Sequence, residues 1–521
     1  MAKKIDAKKI KDWLSDNQEI SFIDVREIGQ HTAGHPFFSI SIPYSIFEFR
    51  LLEIVPNKNV RIVLIDNDNG ISDLAAKQAK KLGYKNIFIL KSGVEGWLNA
   101  GFKLFDGINV PSKTFGELIE HKYHTPSITP NELFNKQQQK KDIIILDGRP
   151  FEEYEKMSIP GSICCPNAEI PYKASSLVKD AKTEIIVNCA GRTRSIIGAQ
   201  ALINFGIENK VYALENGTQG WFLSDLKLDY GKKNYLDIEP NKTEIQKLRS
   251  RIKFLLNENK IEILNLKKAN NIISNKIRST YIFDVSSKKL TNHVRNYIQN
   301  VPGGQLVQAT DNFIGVLKSQ VILLDEGDLV RAGMTALWLK KMNFDCYVLE
   351  INNEEIKSLI IKNKKEYEYQ SYQKLALDEL QITKNTLIFD MRYSENFCKS
   401  RLKQSIWLNR SNLKDYDNLN DEKIILVCDD NHKITLIYED LKTKFPEIDL
   451  KVYHWDEKDV DRFSQHFDTN EIPMSENYID FNFHTYLRHK GNKEHAQQYL
   501  KWETGLIERM DEEETMFFKD L

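Results

Sequence analysis

The sequence predicts an α/β protein made of four tandem units, each a parallel sheet with helices on both faces, plus helical linkers and a C-terminal helical tail. Three observations predict it. Short apolar runs that suit buried parallel strands alternate with apolar residues at helical spacing, over units of about a hundred residues. A strand-end Asp recurs at a nearly constant distance from the end of a later strand: Asp24 to Asp66 is 42 positions, Asp147 to Cys189 is 42, Asp284 to Asp325 is 41 and Asp390 to Cys428 is 38. In the first half Ser92-Gly-Val-Glu-Gly-Trp97 also matches Asn216-Gly-Thr-Gln-Gly-Trp221, the Trp falling 73 and 74 positions after Asp24 and Asp147.

The first unit takes residues 1–110. Its strands are Phe22-Ile-Asp24, continuing into Val25 and Arg26, and Arg61-Ile-Val-Leu-Ile65, which ends at Asp66. Thr114 to Lys122 bridges to the second unit, residues 125–235. There Ile145-Leu-Asp147-Gly-Arg149 repeats the Asp-x-Arg element, and Ile185, Ile186 and Val187 form the strand ahead of Cys189. From Ser195 onward apolar residues return at helical spacing through Ile196, Ile197, Ala199 and Leu202. Residues 236–370 hold an amphipathic linker, Asn241 to Leu255, and a fainter third unit with strands ending at Asp284 and Asp325 and a helix starting near Val330. The fourth unit, 371–470, has Leu387-Ile-Phe-Asp390-Met-Arg392 and Ile424-Ile-Leu-Val-Cys428. The tail, 471–521, carries Tyr478, Phe481, Phe483, Tyr486, Tyr499 and Trp502 ahead of the acidic run Asp511 to Glu514. It reads as a helical appendage packing back on a domain, with a docking site for another protein as the alternative.

At 521 residues the chain exceeds one ordinary core. Lys+Arg 73 against Asp+Glu 74 gives a net charge of -1, which argues against a dedicated nucleic-acid or anionic-membrane surface. No apolar run approaches a membrane span, and the N-terminal segment lacks an apolar core after its lysines. The 6 cysteines show no metal-ligand spacing, so no metal and no cofactor are expected. A reducing, cytoplasmic setting with a working free thiol is the expectation.

Cys189 stands where strand gives way to helix. The turn Ala190-Gly191-Arg192-Thr193 lets several N–H groups point at one spot, with the positive end of a helix behind them. Helix N-termini and nearby Arg are the surroundings that lower a cysteine pKa from about 8.5, so the ionised thiol is expected to be favoured. Arg192 and Arg194 are the local cations, and Cys189 to Arg194 reads C-x-x-x-x-R.

This pattern resembles the active loop of the rhodanese family, sulfurtransferases that carry a sulfane sulfur as a cysteine persulfide. The chain is similar to tandem multi-domain members of that family; Pro302-Gly-Gly-Gln-Leu-Val-Gln308 and Val330-Arg-Ala-Gly-Met-Thr-Ala336 resemble their third unit. The resemblance implies four tandem rhodanese-like domains, with Cys189 as nucleophile and Arg194 as the second catalytic residue. It also implies that the backbone of Ala190, Gly191, Arg192, Thr193 and Ser195 holds the transferred sulfur. Arg149 joins the substrate-binding group and Asp147 supports it structurally. Tyrosine phosphatases, and phosphatases on the rhodanese fold, use a loop one residue longer, so the loop length favours a sulfur atom over a phosphoryl group. The family's usual Gly-His-Ile-Pro-Gly-Ala is Met157-Ser-Ile-Pro-Gly-Ser162 here, with Ser158 in place of the His.

The implied function is transfer of sulfur from thiosulfate or a similar donor to cyanide, a thiol or a carrier protein. The competing readings are a non-catalytic tandem scaffold with a redox or sulfur-sensing cysteine, and an arsenate reductase or phosphatase. Asp66 and Asp325 hold the nucleophile position in the first and third units, and a carboxylate cannot form a persulfide. Cys428 holds it in the fourth, but Asp429 and Asp430 beside it should raise its pKa. Cys164 and Cys165 read as core or near-core residues, with a resolving thiol for Cys189 as the alternative. Cys346 reads as packing, and Cys398, among polar neighbours, as exposed.

Overall fold

Apolar runs buried on both faces form parallel sheets, and the described residues form four of them. The computed structural model describes residues 2–178, 180–236, 238–286, 298–325, 327–351, 355–359, 367–381, 383, 385–419, 423–475, 477–481 and 492–521. The first sheet runs, in spatial order, Lys3–Ile5, Asn86–Leu90, Arg61–Ile65, Ile20–Asp24 and Ile40–Ser41. The second runs Ser127–Ile128, Val211–Leu214, Glu184–Asn188, Ile143–Asp147 and Ile163–Cys164, and the third Glu262–Leu264, Asp345–Leu349, Gln320–Leu324, Thr280–Asp284 and Ile298–Asn300. Each follows the same order relative to its own chain. The fourth keeps Asp449–His454, Lys423–Cys428, Thr386–Asp390 and Ser405–Trp407, and a lone parallel bridge from Lys374 to Val452 stands where the other sheets have an edge strand.

Register carries the repetition further than order does. Asp24 lies opposite Ile65, Asp147 opposite Asn188, Asp284 opposite Leu324 and Asp390 opposite Val427. In every sheet the next residue is the one at the loop position: Asp66, Cys189, Asp325 and Cys428. Ligands of open α/β sheets bind outside the carboxyl ends of the strands, which is where these four residues stand.

The linkers are helices, Val110–Tyr123 and Lys242–Glu258. The second begins with a capping box in which the Asn241 side chain accepts from the N–H groups of Thr243 and Glu244, and it buries Leu248, Ile252 and Leu256 along one face. The tail folds into helices Lys493–Thr504, Leu506–Arg509 and Glu512–Phe517. It packs back on the body: Phe517 and Phe518 are buried against Phe38, Phe37 and Phe115. Phe483 and Tyr486 lie outside the described residues. Among the described residues no helix is long and apolar enough to cross a membrane.

The first and fourth units are joined through a buried ion pair. Arg410 donates to both carboxylate oxygens of Glu48 at 2.6 and 2.8 Å, and its guanidinium lies 4.3 Å from the Tyr44 ring. Removing one partner leaves the other charged and out of water, so Glu48→Ala should cost about 3–5 kcal/mol. The check is chemical denaturation, where the variant's first unfolding transition should move to lower denaturant.

One cysteine differs from expectation. Cys398 is buried at 1% exposure, because the short helix Ser394–Lys399 turns Ser394, Phe397 and Cys398 inward and leaves Lys399 exposed.

Candidate active site

The strand Glu184–Asn188 delivers Cys189, and the helix Thr193–Phe205 begins four residues later with Arg192 at its N-cap. The loop is anchored from behind by the helix Gly217–Leu223: Thr218 N donates to the Cys189 carbonyl at 2.8 Å and Gln219 N to that of Ala190 at 3.1 Å. Gly217 makes the approach possible. Its φ is +54°, and a Cβ there would stand 2.2 Å from the Cys189 oxygen. Gly93 repeats the arrangement in the first unit, with φ +54° and Val94 N donating to the Asp66 carbonyl at 2.9 Å.

What the loop can hold is visible in the sister units. The Asp66 carboxylate accepts from Asp68 N at 3.0 Å and Ser72 N at 2.8 Å, and that of Asp325 from Ala332 N at 3.0 Å. Asp430 N donates to Cys428 Sγ at 3.4 Å. The peptide groups of this turn therefore converge on the side chain at the loop's first position, and in two units that side chain is an anion. At Cys189 the thiol donates to Ser195 Oγ across 3.7 Å, and that hydroxyl donates to the Arg192 carbonyl at 2.7 Å.

Each arginine near the loop has a carboxylate. Arg149 makes a bidentate pair with Asp147 at 2.8 and 2.7 Å and donates to the Met157 carbonyl, while Asn188 Nδ2 donates to Asp147 at 2.8 Å. Arg194 donates to both oxygens of Glu153 at 2.9 and 2.8 Å. Burial works against the Glu153 charge, yet the Arg194 guanidinium outweighs it and holds the carboxyl below the usual range. Arg192, one of the two local cations of the loop, turns its guanidinium to the linker helix, where Glu117 binds it at 2.7 and 2.9 Å and Glu120 also accepts. Burial pushes the Glu117 carboxyl up to about 7 against the pull of Arg192.

The tail supplies residues the sequence reading did not place here. Glu503, fully buried, accepts from the Thr193 hydroxyl at 2.9 Å and lies 3.5 Å from Lys113 Nζ. Burial disfavours the charged Lys113 ammonium, but Glu503 more than offsets it and the pKa stands at about 12. Tyr499 and Trp502, one helical turn N-terminal to Glu503 and beside it, meet at 5.2 Å between ring centroids. Cys189 thus lines a cavity of about 740 Å³, and Ala190, Gly191, Arg192, Thr193, Arg194 and Arg149 line it too. Ser195 and Asp147 lie behind the wall. The signal that could have placed Tyr499, Trp502 and Glu503 together was their spacing on one helical face.

The other cysteines are sealed. Burial pushes the thiols of Cys164 and Cys428 up to about 12 and those of Cys165 and Cys346 well above their ordinary value. Near pH 8 a thiol of that pKa is about one part in ten thousand thiolate. Native alkylation at pH 8 with a small reagent should therefore modify Cys189, the cysteine lining the cavity, and leave Cys164, Cys165, Cys346 and Cys428 untouched; peptide mapping reads the outcome.

The rhodanese-like domain model matches residues 6–100 and 129–224. The crystal structure of thiosulfate sulfurtransferase from Pseudomonas aeruginosa is 30% identical, with a TM-score of 0.87 over 99% of this chain and 99% of that one. Among curated proteins, YrkF of Bacillus subtilis is 28% identical over 93 residues, 18% of this chain and 49% of that protein. An HTH-type transcriptional regulator of Mycobacterium tuberculosis is 30% identical over 105 residues, 20% of this chain and 45% of that one. The chain spans about half the length of the curated relatives it matches. A likeness that runs the length of a thiosulfate sulfurtransferase, together with two domain matches that bracket the first and second sheets, makes this chain a member of the rhodanese family.

Proposed function

We propose that this protein is a sulfurtransferase that moves a sulfane sulfur through a persulfide on Cys189, and that its four sheets are four tandem rhodanese-like domains of which only the second transfers sulfur. The observation that carries the reading is the loop itself: its peptide N–H groups converge on an anionic side chain in the first and third units, and the second unit offers a thiol at that point. The full-length likeness to a thiosulfate sulfurtransferase supports thiosulfate as donor.

In the first half-reaction the Cys189 thiolate attacks the outer sulfur of thiosulfate. A bond forms between Sγ and that sulfur, the sulfur–sulfur bond of thiosulfate breaks, and sulfite leaves with the electron pair. The amides of residues 190–195 hold the negative outer sulfur, and Arg194, at the cavity wall, receives the developing charge on sulfite. Asp147 and Arg149, each neutralising the other, keep the strand end and loop in place. In the second half-reaction a thiophilic acceptor, such as cyanide, a thiol or a carrier protein, attacks the outer sulfur and returns Cys189 as thiolate. With Asp at two loop positions and the sealed Cys428 at a third, the other units serve structure and recognition.

Initial-rate kinetics with thiosulfate and cyanide test the reading. Double displacement predicts thiocyanate formation and parallel double-reciprocal lines at several cyanide concentrations. Intersecting lines, or no thiocyanate, would contradict it.

A further inference from the structure

The loop that carries Cys189 is covered where two of its sister loops are open. In the first unit Asn67, Asp68, Asn69 and Gly70 are exposed, and in the fourth Asp429 and Asn431 are. The corresponding stretch of the second unit, Ala190 to Thr193, is buried or half-buried. Two helices from outside the second sheet hold it there. The linker helix Val110–Tyr123 binds Arg192 through Glu117, and the tail helix Lys493–Thr504 binds Thr193 through Glu503.

Glu503 meets the loop with both of its oxygens. Oε1 accepts from the Thr193 hydroxyl at 2.9 Å and lies 3.5 Å from Lys113 Nζ, which supplies the compensating charge. Oε2 is buried with no hydrogen-bond partner among the described residues, and it stands over Gly191, 3.4 Å from where a Cβ would be. Burying a carboxylate with one oxygen unsatisfied is costly, and an apolar side chain of similar size would serve packing alone better.

What the contact provides lies in the loop. Peptide N–H groups two and six positions after the first loop residue reach the Asp66 carboxylate in the first unit, and the N–H two positions on reaches Cys428 Sγ in the fourth. In the second unit those positions are Gly191 and Ser195, on either side of Thr193. Such donors stabilise charge on a transferred group only as well as they are fixed in place beforehand. Thr193 opens the helix whose first turn fixes them.

We propose that Glu503 is a positioning residue for sulfur transfer: by holding the Thr193 hydroxyl it fixes the turn from Gly191 to Ser195, so that the tail helix completes the site of the second unit. The inference rests on the sulfurtransferase reading of Cys189. The effect of Glu503 reaches the sulfur through the loop backbone and requires no contact with donor or acceptor.

Stopped-flow release of sulfite over a range of thiosulfate concentrations tests this on the full chain. Thr193→Val keeps the shape of the side chain and the Glu503–Lys113 pair but deletes the bonded hydroxyl. It should lower the maximal rate about tenfold and move the half-saturating thiosulfate concentration by less than about twofold. Glu503→Ala should lose at least as much, and the double variant should be no slower than Glu503→Ala, because the two residues act through one bond. Glu503→Gln keeps an oxygen that accepts from Thr193 and should be several-fold faster than Thr193→Val. A thermal melt accompanies each variant, and where Glu503→Ala is too unstable to assay, Thr193→Val and Glu503→Gln decide the outcome. An unchanged maximal rate in Thr193→Val, losses that multiply in the double variant, or a Glu503→Gln no faster than Thr193→Val would overturn the inference, while sulfite release by the wild type leaves the sulfurtransferase reading standing. No sulfite from the wild type would overturn that reading, and this inference with it.

Discussion

Cys189→Ser should lose sulfur transfer by at least about three orders of magnitude while keeping its fold, as expected when a covalent nucleophile is removed. The serine oxygen is a poor nucleophile at neutral pH and forms no stable counterpart of a persulfide. The side chain is nearly isosteric, and its surroundings are polar enough to accept a hydroxyl: Ser195 Oγ faces the sulfur and Thr193 lines the same cavity. Thermal melting should thus barely change. Cys428→Ser supplies the contrast. Its thiol occupies the matching position in the fourth sheet but is fully buried and pushed up to about 12, so its loss should leave the transfer rate where it was.

Arg194→Ala should slow persulfide formation by about a hundred- to a thousandfold, the usual cost of deleting a fixed donor from a site where charge develops. The expected loss of stability is small by comparison. Arg194 is buried but its partner Glu153 is 38% exposed, so the carboxylate left behind can hydrate and the loss should stay below the roughly 3–5 kcal/mol of a fully buried pair. The backbone at Arg194 remains held by Asn167 Nδ2, which donates to the Arg194 carbonyl at 2.8 Å. Stopped-flow release of sulfite and a thermal melt on the same sample separate the two effects. Parallel losses in both would assign Arg194 to structure instead.

Much of the architecture was legible in the residues. Spacing between strand-end Asp and loop position is set by one strand, one crossover and the next strand, and that length survives divergence better than side-chain identity does. The structure adds that the register is the same in all four sheets, even where the fourth has replaced an edge strand by one bridge. The loop at Cys189 was legible for a similar reason, since strand, turn and helix are contiguous in sequence.

Contacts made across the chain left no such trace. Arg192 binds Glu117, 75 positions earlier, and Thr193 binds Glu503, 310 positions later. No periodicity links residues so far apart, so Arg192 read only as a local cation with no partner named and the tail read as packing against an unspecified domain. Cys398 failed for a local reason: polar sequence neighbours say nothing about which side of a six-residue helix faces inward. The tail turned out to be an appendage and a wall of the site at once.

Intact-mass spectrometry after incubation with thiosulfate, under non-reducing conditions, tests the central claim most directly. The expected result is a gain of one sulfur atom that maps to the peptide carrying Cys189, disappears on addition of cyanide and is absent from Cys189→Ser. An unchanged mass, or a sulfur that maps to another cysteine, would contradict it.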